Sequence, residues 1–457
     1  MSPNIPRRDF LKRIGAAGAG LGLAGGAALS AAAKAAPRSG MAAPRPLGAN
    51  DRVRTAVVGV NSRGAALAEC FAGLPGVEVA VVCDVDERAI VKGIEAVRKY
   101  AKTEPRRLRD FRKALEDPAI DAVAVATPDH WHAPMSILAL AAGKHVFVEK
   151  PCSHNGREGE LLIEAVHKYK RVFQMGAQRR SFPNMIQAVA EIRGGLIGKA
   201  YFAKGWYANK RGSIGRGKPA PVPSWLDYDL WQGPAPRRSY RDNLIHYNWH
   251  WFWHWGTGEA LNNGTHEVDL CRWALGVDWP IRVVSTGGRY QFEDDWETPD
   301  TQVIGWDFAE RKSIAWEGRS CNQYPVEGLA RGVMVYGTEG AALLDGNSYT
   351  IFDKNNKVIK EMKEKAAVDP TNIMSATGMA LDQLHFENFV GAIRTGARLN
   401  SPIEEGHKSV TLLHLGNIAW RVDRELHCDP ANGHIRGDSQ ASKLWRRDYE
   451  RGWAPVV

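Results

Sequence analysis

The sequence is poor in cysteine, and its six cysteines show no spacing that is typical of a functional site. No pair has the C-x-x-C spacing of a zinc or redox motif, so neither a zinc site nor a disulfide-dense scaffold is indicated. Cys152 follows a proline, but no activating residues surround it, and we interpret it as a packing residue. One or two disulfides stay open as an alternative. The cysteines are Cys70, Cys83, Cys152, Cys271, Cys321 and Cys428.

The sequence also lacks a strong charge excess, an internal repeat and a second long apolar run. The net charge is +9, of which about +5 is left without the first 36 residues. This mild basic excess does not indicate a nucleic-acid partner. After the N-terminal segment, no stretch approaches the length of a transmembrane span. We also predict no metal ion.

The chain does begin with the pattern of an export signal. Arg7 and Arg8 precede a weakly apolar, glycine- and alanine-rich stretch over 14–33, and small residues follow. The pattern resembles a twin-arginine signal over residues 1–36. Its glycine content makes it a poor membrane helix, so we expect cleavage near 33–36 rather than an uncleaved anchor. The mature protein is then expected to pass the twin-arginine translocation machinery, to be periplasmic or secreted, and to have no membrane attachment.

The length predicts two domains, because the residues after the signal are too many for one hydrophobic core. We expect a linker over 37–50, a nucleotide-binding domain over 51–175 and a second domain over 176–457. In the first of these, strand-like apolar runs alternate with helix-like segments. That alternation predicts an α/β fold with a doubly wound parallel sheet.

The first strand of this domain runs into a glycine turn and a helix start, an order that suits phosphate binding. Gly59 ends the strand and Gly64 opens the helix. Asn61 stands where a second glycine is usual, and asparagine tolerates a left-handed φ. We predict that this turn contacts the cofactor through Gly59, Asn61, Ser62, Arg63 and Gly64.

The second strand ends in Asp84, whose carboxylate can accept hydrogen bonds from both ribose hydroxyls of an adenosine. A carboxylate repels a 2′-phosphate, so Asp84 favours NAD over NADP, with Arg88 nearby as a moderating charge. A third strand ends in Thr127 and Pro128, and Trp131 follows. We predict these three residues as further cofactor contacts.

Lys150 stands at the end of the next apolar strand, at the edge where open α/β sheets bind ligands. Burial lowers the pKa of a lysine, and the neighbouring Glu149 restores its charge, so Lys150 is a candidate hydrogen-bond donor or proton-transfer group. The alternative is a surface lysine at a strand end. Glu149 and Lys150 are also predicted to contact the cofactor. Gln178 and Arg179 follow the last strand and are candidates for contacts with substrate hydroxyls.

Several separated motifs resemble those of the Gfo/Idh/MocA family of oxidoreductases. They are residues 59–64, 127–132, 149–151 and 256–269, the last being similar to the G-G-x-x-x-D-x-G-x-H-x-x-D helix of the family's second domain. The resemblance implies a Rossmann domain followed by an α/β domain with an open, mainly antiparallel sheet that often supports homo-oligomers. It also implies NAD(P)-dependent chemistry on CH–OH groups.

In that family a lysine and a helix histidine act on the substrate hydroxyl, and Lys150 and His266 occupy the matching positions. We predict His266 as the general base and Lys150 as donor and positioner. Asn262, His266 and Asp269 are spaced to share one helix face, so we expect Asp269 or another acceptor to fix the histidine tautomer. Asn262 replaces an acid that is common in the family. An amide takes no proton, so the proton role falls to His266 or a neighbouring glutamate, while Asn262 can bind a sugar hydroxyl.

Residues 246–255, HYNWHWFWHW, are unusually aromatic. Flat rings suit the C–H faces of a sugar, but they are equally typical of an interface or an aromatic core. His246, His250 and His254 recur every four residues, yet the composition does not favour a helix, and we do not expect them to bind a metal.

The leading hypothesis is an exported NAD(P)-dependent oxidoreductase that transfers hydride between nicotinamide and a secondary hydroxyl of a sugar, polyol or glycoside. One alternative is NAD-dependent glycoside cleavage, in which transient oxidation permits elimination without net redox. The other is a non-catalytic, nucleotide-bound carbohydrate-binding protein.

Overall fold

The computed structural model of the protein describes residues 52–101, 103–364 and 376–457. The signal expected over 1–36 and the linker expected over 37–50 lie outside the described residues. Within the described residues, no helix has the length and hydropathy needed to cross a membrane.

The first sheet has six parallel strands in the order β3-β2-β1-β4-β5-β6. Most are continuous apolar runs buried on both faces, as expected for a parallel sheet that helices cover. The strand order reverses between β1 and β4, and a crevice for a ligand opens at such a point. The prediction of a doubly wound sheet is confirmed. The strands are β1 (Val53–Val58), β2 (Val77–Cys83), β3 (Arg106–Leu108), β4 (Ala122–Val125), β5 (His145–Val148) and β6 (Phe173–Met175).

The helices of this domain differ in how they begin. The helices α2 and α5 start at side-chain caps, where Asp86 and Asn155 accept hydrogen bonds from backbone N–H groups. Helix α1 starts at Ser62 with no side-chain cap and no acid in its first turn. Its terminal N–H groups are therefore left for an external anion. The helices are α1 (Arg63–Gly73), α2 (Glu87–Arg98), α3 (Arg112–Leu115), α4 (Asp129–Ala141) and α5 (Gly156–Tyr169).

The second sheet has ten strands in the order β14-β13-β12-β11-β7-β10-β9-β8-β15-β16. All neighbours are antiparallel except β7 and β10, so the expected open, mainly antiparallel sheet is confirmed. Buried and more exposed residues alternate along β9, which gives the sheet one packed face. The strands are β7 (Ala200–Ala208), β8 (Arg282–Gly288), β9 (Thr301–Phe308), β10 (Lys312–Arg319), β11 (Arg331–Gly337), β12 (Gly340–Asp345), β13 (Ser348–Asp353), β14 (Val358–Met362), β15 (Leu426–Cys428) and β16 (Ile435–Arg436).

Helices of the second half pack on this sheet and on the first domain. The segment 256–269, which resembles the helix of the family's second domain, contains two helices, α8 and α9, that are separated at Asn263. Gly264, which opens α9, lies so close to Trp316 that a Cβ would be 2.8 Å from the indole. The helices are α6 (Pro183–Arg193), α7 (Tyr228–Gln232), α8 (Gly258–Asn262), α9 (Gly264–Leu275), α10 (Ala376–Thr395), α11 (Ile403–Val422) and α12 (Ser439–Lys443).

Helix α10 belongs to the second half of the chain but packs into the core of the nucleotide-binding domain. The ring of Phe386 lies 4.9 Å from those of both Phe71 and Phe147, measured between centroids. Phe389 joins the same cluster. The end of the sequence segment 51–175 is therefore not the end of the packed unit, because a helix some 200 residues later completes its core.

Candidate active site

A cavity of about 580 Å³ lies where the carboxyl ends of the first sheet face the second domain. Its walls carry residues from the glycine turn, from the ends of β2, β4 and β5, and from β7 and α8. Pockets of this volume hold cofactors and small molecules, and this one sits where the strand order reverses.

The glycine turn is shaped for a phosphate group. Gly59 has φ +85°, and a Cβ there would lie 2.7 Å from the backbone of Ala126 and Thr127. A Cβ on Gly64 would lie 1.8 Å from the carbonyl oxygen of Gly59. The Thr127 hydroxyl is buried and has no hydrogen-bond partner among the described residues. With the uncapped end of α1 beside it, the turn fits a dinucleotide.

Asp84 occupies the position expected to bind ribose. Its Oδ2 accepts from the Val60 N–H at 2.7 Å and its Oδ1 from the Asp86 N–H at 2.9 Å. Burial raises the pKa of Asp84, and these two hydrogen bonds oppose the rise. A carboxylate oxygen has two lone pairs, so both oxygens can still accept ribose hydroxyls. Arg88 is held by Asp86 instead of turning to this carboxylate.

Arg63 and Glu149 both line the cavity, but they pair with each other. The Arg63 Nε donates to the Glu149 Oε1 at 2.8 Å, and Arg63 also forms an ion pair of 2.7 Å with Asp382 on α10. Burial opposes ionisation of Glu149, yet Arg63 and Lys150 bring its pKa below the usual value. The pair therefore places a fixed carboxylate beside Lys150.

Lys150 joins the two domains inside the cavity. Its Nζ donates to the backbone oxygen of Asn262 at 2.5 Å and to the Asn262 Oδ1 at 3.2 Å. Burial lowers the pKa of Lys150, and Glu149 and Asp129 oppose the fall. A lysine in this environment can change protonation state more readily than a solvated one.

His266 and Asp269 do not form the predicted pair. The Asp269 carboxylate binds Arg180 at 2.8 and 2.9 Å and the Ser409 hydroxyl at 2.5 Å. Asp269 therefore does not hydrogen-bond His266, because Arg180 and Ser409 hold its carboxylate, and the expectation that Asp269 or another acceptor fixes the histidine tautomer stays a prediction. The residue His266 is 7% exposed, does not line the cavity, and has no side-chain hydrogen bond among the described residues. Burial, then Arg331 and Lys150, holds its pKa well below the usual value.

Gln178 and Arg179 do not reach the cavity wall. The Gln178 Nε2 donates to the Glu149 Oε1 at 3.1 Å, and Arg179 lies 3.4 Å from a carboxylate oxygen of Glu267. Both side chains are buried, and their role as substrate contacts stays a prediction. They support the charged groups behind the wall.

Asn262 lines the cavity and is backed by Glu259. The Glu259 Oε1 accepts from the Asn262 Nδ2 at 3.3 Å, and its Oε2 accepts from the Arg211 Nε at 2.6 Å. Burial opposes ionisation of Glu259, but Arg211 lowers its pKa overall. Glu259 is thus a fixed anion and not the missing proton carrier.

A tyrosine-lined wall of the cavity was missed in the sequence. The Arg211 NH1 donates to the Tyr247 hydroxyl at 2.7 Å, and Asn209 donates to the Tyr207 hydroxyl at 2.5 Å. Burial raises the pKa of Tyr207 to about 12, which keeps it a neutral phenol. Both hydroxyls accept these bonds and keep a proton to donate. Two signals were present in the sequence: Tyr207 lies near the end of a strand, and Tyr247 belongs to the aromatic segment 246–255.

The aromatic segment is divided between core and cavity. Trp251 stacks on Trp296 with 3.9 Å between centroids, whereas Tyr247, Trp249 and His250 line the cavity.

The three histidines of that segment do not converge. His246 contacts Asp86, the His250 Nδ1 contacts the Tyr247 carbonyl, and His254 contacts the Pro236 carbonyl.

Trp131 lines the cavity and donates from Nε1 to the Trp231 carbonyl at 2.9 Å. Pro128, which directly precedes α4, lines it as well, and so do Asn61 and Ser62 of the glycine turn. Cys152 is fully buried, and burial raises the pKa of its thiol to about 12, so it serves packing.

Two family models match most of the chain. One, described as an oxidoreductase family with an NAD-binding Rossmann fold, matches residues 53–177. The other, the C-terminal α/β domain of the oxidoreductase family, matches residues 203–323 and 331–454. The chain belongs to the Gfo/Idh/MocA oxidoreductase family. Its first domain is an NAD-binding Rossmann domain. Membership of this family favours an NAD-dependent oxidoreductase over a non-catalytic binding protein.

Curated relatives match about half of the chain. This chain is 33% identical over 207 residues to a glycosyl hydrolase family 109 protein of Saccharopolyspora erythraea. The aligned region covers 44% of this chain and 45% of the relative. This chain is also 30% identical over 218 residues to an α-N-acetylgalactosaminidase of Shewanella oneidensis, and that alignment covers 45% of this chain and 47% of the relative. The chain thus spans less than half the length of these relatives.

Solved structures share the fold of this chain. Levoglucosan dehydrogenase in complex with NADH and levoglucosan superimposes with a TM-score of 0.63 at 18% identity, covering 82% of this chain and 99% of that one. At this identity the likeness is one of architecture.

Proposed function

We propose that the protein transfers hydride between NAD and a secondary hydroxyl of a sugar, polyol or glycoside. The observation that carries this proposal is the position of Lys150, whose ammonium lies between the nucleotide crevice and Asn262 of the second domain. It is a titratable group on the wall shared by both domains.

Lys150 takes the proton role that the sequence assigned to His266. Because burial lowers its pKa, the neutral amine is accessible, and it can accept the proton of a substrate hydroxyl as the C–H bond gives up hydride. Asn262 orients that hydroxyl through its amide. Bound NAD supplies the hydride acceptor.

The cofactor and compartment are part of the same proposal. Asp84 favours NAD over NADP, because its carboxylate repels a 2′-phosphate. The paired Arg7 and Arg8 support export by the twin-arginine route, which is testable by fractionation of cells that express the full chain or an Arg7→Lys, Arg8→Lys variant. Self-association is expected from the family resemblance and is measured by light scattering.

The test is a substrate panel. Purified protein loaded with NAD is mixed with sugars, polyols and glycosides while nicotinamide fluorescence is recorded. At least one should reduce the cofactor, Lys150→Met should lose the reaction while retaining nucleotide, and the exposed Lys168→Met should behave as wild type. Reduction at an equal rate in Lys150→Met would falsify the assignment.

A second candidate function is glycoside cleavage through transient oxidation and elimination. The names of the curated relatives favour it, and so does the second polar wall formed by Tyr207, Arg211 and Tyr247, which offers further donors to a bound glycoside. Release of aglycone from a chromogenic glycoside without accumulation of NADH would support this candidate. Accumulation of NADH with an intact glycosidic bond would exclude it for that substrate.

A further inference from the structure

One buried carboxylate of the second domain accepts hydrogen bonds from several elements. Glu259, on α8, is 3% exposed and lies behind the cavity wall. Its Oε2 accepts from the Arg211 Nε at 2.6 Å and from the Ser320 hydroxyl at 3.0 Å. Its Oε1 accepts from the side-chain amides of Asn263 at 2.5 Å and Asn262 at 3.3 Å. All four partners are donors, as an ionised carboxylate requires.

The carboxylate of Glu259 fixes which way the amide of Asn262 points. The two residues are three positions apart on one helix, so their side chains are neighbours on its surface. Because an ionised carboxylate only accepts hydrogen bonds, the Asn262 side chain turns its nitrogen toward Glu259. The Asn262 Oδ1 then faces the other way, and it lies 3.2 Å from the Lys150 Nζ. Glu259 therefore decides which end of the amide Lys150 meets.

The orientation of this amide controls the lone pair of Lys150. The charged lysine has three N–H donors, and the neutral amine has two donors and one lone pair. The backbone oxygen of Asn262, 2.5 Å from the Lys150 Nζ, and the Asn262 Oδ1 can take both donors of the neutral amine. The lone pair is then left to meet a hydroxyl in the cavity that Lys150 lines. A general base works only when its lone pair reaches the proton that it removes.

A reversed amide would block the same base. The NH2 group of Asn262 would donate to the lone pair of neutral Lys150, and a substrate hydroxyl would first have to displace that bond. An amide nitrogen accepts no hydrogen bond, so one N–H of Lys150 would also lose its acceptor. The oxygen of the amide would meanwhile face the carboxylate oxygen of Glu259, which is a contact between two acceptors.

We propose that Glu259 is a positioning residue for proton transfer, because it holds the Asn262 amide in the orientation that leaves the Lys150 lone pair to the substrate hydroxyl. The inference rests on the proposed function, in which Lys150 is the proton acceptor. In that step the O–H bond of the substrate breaks, and its proton forms an N–H bond to Lys150. The hydride of the same carbon passes to NAD, and the carbon and oxygen form a carbonyl. Glu259 touches none of the reacting atoms and acts through Asn262.

A purely structural ion pair is the competing explanation. In that case the carboxylate of Glu259 only neutralises the buried Arg211, and its loss would weaken folding or substrate binding. The chemistry of Lys150 would be unchanged in the molecules that fold and bind. The two explanations therefore differ in the rate of hydride transfer per molecule of bound NAD.

The experiment measures nicotinamide reduction in a single turnover of the full chain loaded with NAD. The probe is the sugar of the substrate panel that reduces the cofactor fastest, at saturation, and rates are followed with pH up to their plateau and divided by bound NAD. Glu259→Gln keeps the size of the side chain but can donate to the Asn262 Oδ1, so the amide is free to reverse. Glu158→Gln is the matched control, because Glu158 is another fully buried carboxylate, pairs with Arg447, and lies outside the cavity.

A charge-swapped double variant tests the orientation itself. Glu259→Gln combined with Asn262→Asp keeps one negative charge, and an aspartate has no amide to reverse. One oxygen of the new carboxylate can accept from the new amide at position 259, and the other can accept from the Lys150 Nζ. The plateau rate should recover, with its rising limb at higher pH, because a carboxylate beside Lys150 raises the pKa of the lysine.

We expect Glu259→Gln to lower the plateau rate about tenfold or more, Glu158→Gln to keep the wild-type plateau, and the double variant to return to within about threefold of wild type. An unchanged plateau in Glu259→Gln would overturn the proposal. A double variant slower than Glu259→Gln would overturn it as well, since a structural ion pair predicts that the two losses add.

Neutron diffraction of the wild-type protein keeps the proposal testable even where a variant does not fold. The deuterons of the Asn262 amide should lie toward Glu259, and deuterons toward Lys150 would overturn the proposal. Failure of the proposed function has a different signature. In that case no sugar reduces the wild-type cofactor, or Lys150→Met reduces it at the wild-type rate, whatever Glu259→Gln does.

Discussion

Acid should unfold the protein through histidines that are buried as neutral imidazoles. His385, His407 and His414 are at most 5% exposed. Burial lowers their pKa values from 6.5 to about 4, 4 and 3. Between the folded and unfolded pKa values, the unfolded chain binds more protons. The stability that these groups contribute is therefore complete above pH 6.5 and is lost as the pH falls toward 4.

The size of the effect follows from the shifts. At pH 5, each buried histidine lowers the free energy of unfolding by about 2 kcal/mol, since each pH unit below 6.5 lowers it by about 1.36 kcal/mol. Three such groups cost about 6 kcal/mol, which is comparable to the about 5–15 kcal/mol of total stability of a typical domain. We therefore expect a steep loss of stability between pH 6.5 and pH 5.

A single substitution isolates one of these groups. The His414 Nε2 lies 3.2 Å from the Ser153 carbonyl, a bond that a glutamine amide can also donate. Between pH 7 and pH 5, the free energy of unfolding of His414→Gln, measured in urea, should fall by about 2 kcal/mol less than that of wild type. His427→Gln, at a side chain that is 65% exposed, should match wild type. An unchanged pH dependence in His414→Gln would refute the reasoning.

Three further predictions concern the cavity. Gly64→Ala should destabilise the fold by about 2 kcal/mol or more, because the new Cβ would lie 1.8 Å from the carbonyl oxygen of Gly59. Thermal unfolding measures this loss, and Gly212→Ala, whose new Cβ has no atom within 4 Å, should match wild type. Asp84→Asn should weaken NAD binding roughly tenfold in calorimetry, through loss of a charged acceptor, and unchanged affinity would contradict its role. Tyr247→Phe should raise KM roughly fivefold at constant kcat, since it removes one hydroxyl from the wall, and a fall confined to kcat would count against this.

The sequence predicted the fold well where the pattern is local. Continuous apolar runs ending in Asp84, Thr127 and Lys150 identify parallel strands and the edge where their ends meet. Glycines such as Gly59 and Gly64 predict the turn, because only a residue without Cβ fits there.

Other features depend on tertiary contacts that no local pattern records. Nothing near Asp269 indicates that Arg180, some 90 residues earlier, takes its carboxylate from His266. Gln178 and Arg179 follow a strand as ligand-binding residues often do, but the neighbouring acids Glu149 and Glu267 draw them into the interior.

The most direct test of the central claim is the pH dependence of nicotinamide reduction in a single turnover, compared between wild type and Lys150→Met. If Lys150 accepts the hydroxyl proton, the wild-type rate rises with pH along a limb below the ordinary lysine value of 10.5, because burial lowers its pKa. Lys150→Met should then react about 100-fold or more slowly and lack that limb, with its NAD still bound. A variant that reduces the cofactor at the wild-type rate with the same pH profile would contradict the account.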